Sequence, residues 1–156
     1  MAESEVLRAP HVLEYPYVRS VGPVIGAFLT ALRDGRILGA RSTGPDGAAT
    51  VIVPPTEYDP ISGADVGELV EVGPSGVVTT WSWAAQPKEG QPLDRPFAWA
   101  LVKLDGASTG MLHVVDAGRR DAMASGMRVS PRWRPAAERQ GRIQDIECFV
   151  PEGSEQ

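Results

Sequence analysis

The stretch Gly76-Val77-Val78-Thr79-Thr80-Trp81-Ser82-Trp83-Ala84-Ala85 decides the fold class. Its β-branched and aromatic residues suit a pleated strand, and simple alternation places Val77, Thr79, Trp81 and Trp83 on one side. Turn formers bound it, Gly73-Pro74-Ser75-Gly76 before and the run from Gln86 to Pro96 after. The same rhythm of short run and turn gives further candidate strands at 67–72, 97–104, 110–115, 127–133 and 143–150. Asp105-Gly106 and Gly141 help to divide them. Strands this short and closely spaced predict a small Greek-key barrel, with a sandwich as the other arrangement. The segment Ala117–Ser125 is expected to hold a helical turn, at the place where an OB-type barrel is plugged between its third and fourth strands.

Upstream the period changes. Val21, Val24, Ile25, Phe28, Leu29 and Leu32 recur at helical spacing, with Ser20 available as N-cap and Asp34-Gly35 as the stop. Two β-like runs follow, 36–42 and 50–53, joined by the turn Gly44-Pro45-Asp46-Gly47. Pro54-Pro55 and Asp59-Pro60 then bracket a loop, because proline has no N–H for a ladder. Residues 1–19 show no sustained period and read as an arm laid on a surface. The chain therefore divides into arm and amphipathic helix (1–35), hairpin module (36–64), barrel (65–151) and flexible tail (152–156).

Composition narrows the function classes. The 17 glycines and 14 prolines among 156 residues match a chain of many turns. A formal charge of −5 opposes binding to a phosphate backbone, so nucleic acid starts at a disadvantage. No apolar run approaches the roughly 18–20 residues needed to span a bilayer. Nothing in Met1–Ala9 has the form of a secretion signal, and the single Cys148 has no partner for an intramolecular disulfide; a reducing cytoplasm is expected.

Catalytic constellations are weak. His11 lies in the arm and His113 within a strand, neither beside a nucleophile. Cys148, between Glu147 and Phe149, reads as a buried small hydrophobe. Glu68 and Glu71 have opposite parity on their strand and make a poor acid–base pair. An independent enzyme is not expected.

Several stretches follow one another in a telling order: Phe28-Leu29-Thr30-Ala31-Leu32-Arg33-Asp34-Gly35-Arg36-Ile37-Leu38, then Val53-Pro54-Pro55, then Asp59-Pro60-Ile61-Ser62-Gly63. After the 76–83 strand come Arg95-Pro96-Phe97-Ala98-Trp99-Ala100-Leu101-Val102-Lys103-Leu104-Asp105-Gly106 and Gly126-Met127-Arg128-Val129. Over about residues 25–150 this order resembles the DUF35 family, the zinc-ribbon and OB-fold proteins that accompany thiolase-like enzymes acting on acyl-CoA. The resemblance implies a mainly β fold: an N-terminal helix, a rubredoxin-like ribbon and a C-terminal OB-fold barrel. Where the family has two pairs of zinc-binding cysteines, this chain has Ser42/Pro45 and Asp59/Ser62. Serine and proline cannot replace soft thiolates, so the ribbon is expected to be degenerate and metal-free.

The resemblance also implies a function. The chain would be an accessory subunit docked on a thiolase-fold partner of the lipid-transfer-protein type, with the apolar helix face (Val21, Val24, Ile25, Phe28, Leu29, Leu32) as a docking surface. It would bind no cofactor of its own, while a coenzyme A thioester would be the complex's substrate, from fatty acyl to steroid side-chain. The steroid-degrading versions perform a retro-aldol cleavage. Arg95, Phe97, Lys103, Arg119 and Arg120 are candidates for contact with the coenzyme A phosphates and ring. Trp81, Trp83, Phe97 and Trp99 either stack on an adenine or line the core, and parity alone does not decide which pair points inward. The alternative is a single-stranded nucleic-acid-binding OB module, against which the acidic balance argues. A third reading is a free-standing barrel for a small molecule.

Overall fold

The computed structural model describes residues 8–18, 20–44 and 46–153. One helix, α1 (Pro23–Arg33), precedes eight strands. Strands β1 (Leu38–Thr43), β2 (Ala49–Ile52) and β3 (Leu69–Glu71) form a three-stranded sheet in the order β2-β1-β3. Strands β4 (Gly76–Ala84), β5 (Phe97–Leu104), β6 (Met111–Val115), β7 (Arg128–Trp133) and β8 (Ile146–Pro151) close into a barrel in the order β4-β5-β6-β8-β7. Numbered from the first barrel strand this is 1-2-3-5-4, the OB arrangement expected from the sequence. The 3₁₀ turn Arg120–Ala122 sits between the third and fourth barrel strands, where the plug was expected.

The helix begins later than its apolar period suggests. Pro23 occupies the first turn, Gly22 is the N-cap and Ser20 makes no cap. The free N–H groups are instead met by the Glu57 carboxylate, which accepts from Ile25 N at 2.9 Å and Val24 N at 3.3 Å. A Cβ on Gly22 would fall 2.2 Å from the Glu57 carboxyl, so this long-range cap requires glycine there. The expected stop holds, with Gly35 N donating to Leu32 O and Arg36 N to Ala31 O.

Phe28 and Leu32 of α1, with Ile37 and Val53 around the small sheet, join Val78, Val102, Met111 and Phe149 of the barrel in one apolar core. The candidate strand 67–72 was expected in the barrel. It is β3, and it pairs with β1 (Leu38 opposite Glu71, Ala40 opposite Leu69). Main-chain bonds from Val72 N to Ile37 O and from Gly67 N to Arg41 O extend that pairing at both ends. The last candidate strand also starts late, because Ile143–Asp145 is a 3₁₀ turn. There the buried Asp145 carboxylate accepts the N–H groups of Gln140, Gly141 and Arg142, which closes a loop before β8 begins.

Parity within β4 corrects the simple alternation. The β4–β5 register shifts between Val78 and Thr80, so an extra residue interrupts the pleat. Thr79 ties the bulge down through its hydroxyl, which donates to Leu101 O at 3.1 Å. Beyond it, Trp81 and Trp83 lie opposite Ala100 and Ala98 and pack against the core alongside Val78. Phe97 and Trp99 take the other face of the wall, edge to face at 5.4 Å, in a satellite cluster with Leu93, Val114, Cys148 and Val150. Gly76 is fixed by close approach, since a Cβ would stand 2.5 Å from Lys103 O.

Of the expected tail, residues 154–156 lie outside the described residues, whereas Glu152 is tied to Arg128 at 3.2 Å.

Candidate functional site

The knuckle positions of the small sheet come together. Ser42 on β1 donates its hydroxyl to Asp59 Oδ2 at 2.5 Å, and Ser62 donates to Asp59 Oδ1 through both its N–H (2.7 Å) and its hydroxyl (3.0 Å). Ile61 N adds a fourth donor at 2.9 Å. Pro45 lies outside the described residues. Asp59 is 6% exposed, and the Ser42 hydroxyl, then the N–H groups of Ser62 and Ile61, hold its carboxyl at about 2 against the usual 3.8 despite burial. The donor set does not fit zinc: among the described knuckle residues Ser42, Asp59 and Ser62 the one anionic group is a carboxylate saturated by hydrogen bonds, and its neighbours are hydroxyls that spend their protons on it. A hydrogen-bonded carboxylate occupies the organising position.

The five residues expected around the coenzyme A phosphates do not form one site. Arg95 is committed to Asp116 at 2.6 Å, which also receives Arg132 at 3.3 Å. Phe97 is fully buried in the satellite cluster and unable to touch a ligand, a correction that follows from the β5 parity. Lys103 is exposed opposite Val77 at the far end of β5. Arg119 pairs with Asp121 at 3.1 Å. Arg120 arrives at a hollow, and among the described residues no carboxylate lies within ion-pair reach of it. That hollow, of about 680 Å³, is lined by Trp81, Ser82, Trp83, Ala85 and Arg120.

The helix face divides in the same way. Phe28 and Leu32 are buried in the core, so they are not available for docking. Val24, Ile25 and Leu29 are half-buried, and Val21, outside the helix, is 55% exposed. The larger exposed apolar surface is in the arm, where Val12, Leu13, Tyr15, Tyr17 and Val18 all stand in solvent rather than against the protein. Their apolar character was visible in the sequence; their exposure was not, because a stretch without a period reads equally well as laid on the protein.

The remaining candidates have structural surroundings. Burial pushes the Cys148 thiol up to about 11, which keeps it protonated at neutral pH. His113 is buried against Phe149, with Nε2 3.3 Å from Ile143 O, and burial lowers its pKa so that the ring is neutral. Glu71 pairs with Arg36 at 2.8 Å and Glu68 with Arg41 at 3.9 Å, both as exposed ion pairs.

The molecule is thus an OB-fold barrel preceded by a helix and a small sheet. Residues 69–134 match the family described as ChsH2, C-terminal OB-fold domain. Among solved structures, the chain resembles the Ltp2-ChsH2(DUF35) aldolase, with TM-score 0.59 and 22% identity over 86% of this chain and 98% of that one. It also resembles a DUF35 protein of unknown function from Sulfolobus solfataricus, with TM-score 0.54 and 19% identity over 70% of this chain and 78% of that one. No curated protein matches. Over residues 69–134 the likeness is thus to the ChsH2-type OB-fold domain, and across the rest of the chain the solved structures show a shared fold.

Proposed function

We propose that this chain is a non-catalytic accessory subunit that docks on a thiolase-fold enzyme of the lipid-transfer-protein type and helps form its acyl-CoA site. The likeness to the ChsH2 OB-fold domain, together with the near-complete superposition on the DUF35 chain of an aldolase, carries this reading. The reaction it would serve is retro-aldol cleavage of a β-hydroxyacyl-CoA, with a steroid side-chain or fatty acyl group, in which the partner supplies the base. This chain's contribution is surface and shape: the exposed apolar arm and Val21 for docking, and the Trp81–Arg120 hollow for part of the coenzyme A channel. The neutral buried His113 and the protonated Cys148 suit a scaffold better than a reaction centre.

The test is co-expression with a thiolase-fold enzyme of the lipid-transfer-protein type from the same genome. A stable heteromer that cleaves a β-hydroxyacyl-CoA supports the reading. Deleting residues 8–18 should abolish the heteromer while leaving the shared core of Phe28 and Leu32 intact. Retention of the chain on single-stranded DNA in a strongly salt-dependent manner, with no heteromer, would overturn it.

A further inference from the structure

The barrel wall is incomplete beside β4. This strand pairs with β5 along its length but with β7 only at Gly76 and Val77. Two more bonds, Val78 N to Met127 O and Gly126 N to Val78 O, end the contact. From Thr79 to Ala84 the free edge meets no further strand among the described residues. Such an edge is usually guarded by charge or proline, and Thr79-Thr80-Trp81-Ser82-Trp83-Ala84 contains neither. Beyond the bulge at Val78/Thr80 two half-buried indoles pack on the core and also line a hollow, which Arg120 of the 3₁₀ turn shares with them.

We propose that this hollow binds one nucleotide unit, with its base on the indoles of Trp81 and Trp83 and a phosphate on Arg120. An indole face takes any base by stacking, and a guanidinium without a carboxylate partner is the group that a phosphate satisfies by paired hydrogen bonds. Main-chain N–H and C=O groups on the free edge of β4, with the Ser82 hydroxyl, supply partners for the edge of the base. The occupant is a single unit rather than a strand. The hollow, about 680 Å³, has the size of a small-molecule site, and the net charge of −5 opposes a polyanion. The proposal rests on the acyl-CoA reading for the identity of the nucleotide, the adenosine end of the thioester, but the binding needs no partner subunit.

Titration of the purified full chain with adenosine 3′,5′-bisphosphate, followed by tryptophan fluorescence and by calorimetry, tests it. Saturable binding is expected, weakened about tenfold by Arg120→Gln and by Trp83→Ala, and unmoved by Arg36→Gln on the small sheet. Arg120 is exposed, so its variant reports on the site even if the tryptophan variant fails to fold. Absence of saturable binding at millimolar ligand sinks the proposal, as does binding that neither variant weakens. A single-stranded dodecamer that displaces the bisphosphate with a steep salt dependence identifies a polymer and overturns the single unit. A working heteromer whose KM for acyl-CoA ignores Arg120→Gln removes this proposal and leaves the accessory reading standing. Bisphosphate binding by a chain that forms no heteromer does the reverse.

Discussion

The barrel and the small sheet are held by opposite means. The barrel closes on itself around Val78, Val102, Met111 and Phe149, and among the described residues its hydrogen-bond ladders thin out along β4 beyond Val78 and between β6 and β8, which pair at Val115 and Phe149. The small sheet has three strands, sends Ile37 and Val53 into the common core, and converges at its far end on one carboxylate. A module too small to enclose apolar side chains needs a directional centre, and four donors aimed at Asp59 provide one where thiolates would aim at a metal. Because the sheet also shares the barrel's core, its apolar end and its polar end should fail separately.

Phe149→Ala strikes the shared core and should cost about 3–5 kcal/mol, lowering the stability of barrel, helix and sheet in a single transition. Chemical denaturation followed by far-ultraviolet dichroism and tryptophan fluorescence checks this. Two separated transitions would break the picture of one core. Asp59→Asn should have a smaller and local effect. It removes the charge that the donors converge on, so amide exchange and protease cleavage should rise over residues 56–66 while the barrel's amides keep their protection. Uniform loss of protection throughout the chain would mean that the carboxylate stabilises more than its own knuckle.

The knuckle also has a pH signature. The folded Asp59 carboxyl titrates at about 2, below the ordinary 3.8. A depressed carboxyl stabilises the fold fully above its unfolded pKa and loses that contribution as pH falls through the folded value. Protection of residues 56–66 should therefore be constant down to about pH 4 and vanish toward about pH 2. Ser42→Ala removes the largest cause of the depression and should move the carboxyl back toward 3.8, read from its carbon chemical shift. An unmoved titration would show that Ser42 does not hold the charge.

Much of the fold was legible because it rests on local signals. The run from Gly76 to Ala85, the turns around it and the helical period from Val24 to Leu32 each identified their element. What stayed hidden depends on contacts distant in sequence. The bulge that sends Trp81 and Trp83 to the core side shows only in the register with β5, and the assignment of β3 to the small sheet depends on pairing with residues some thirty positions earlier. The convergence of Ser42, Asp59 and Ser62 was anticipated by family resemblance, but the carboxylate's role was not, because an aspartate at a knuckle position has the same letter whether solvated or saturated. The expected cluster of cations dissolved for a related reason. Arg95 and Arg119 look as free as Arg120 until their carboxylate partners are placed.

The helix N-terminus gives the smallest test of the contrast, since a polar contact there ties the small-sheet module to the helix that shares the barrel's core. Glu57, in the loop after β2, caps α1 from outside the helix by accepting the N–H groups of Val24 and Ile25. A carboxylate there answers both the unfilled donors and the positive end of the helix dipole. Glu57→Ala should cost about 0.5–1 kcal/mol and fray the first turn, seen as faster exchange at Val24 and Ile25 with the rest of α1 unchanged. Gly22→Ala should reproduce part of that loss, because its Cβ would occupy the space of the Glu57 carboxyl and push it off the cap. Combined, the two substitutions should cost no more than Glu57→Ala alone, for once the carboxylate is gone the methyl group has no cap to displace. If the costs add instead, Gly22 is needed for its backbone, and the cap is not what fixes it.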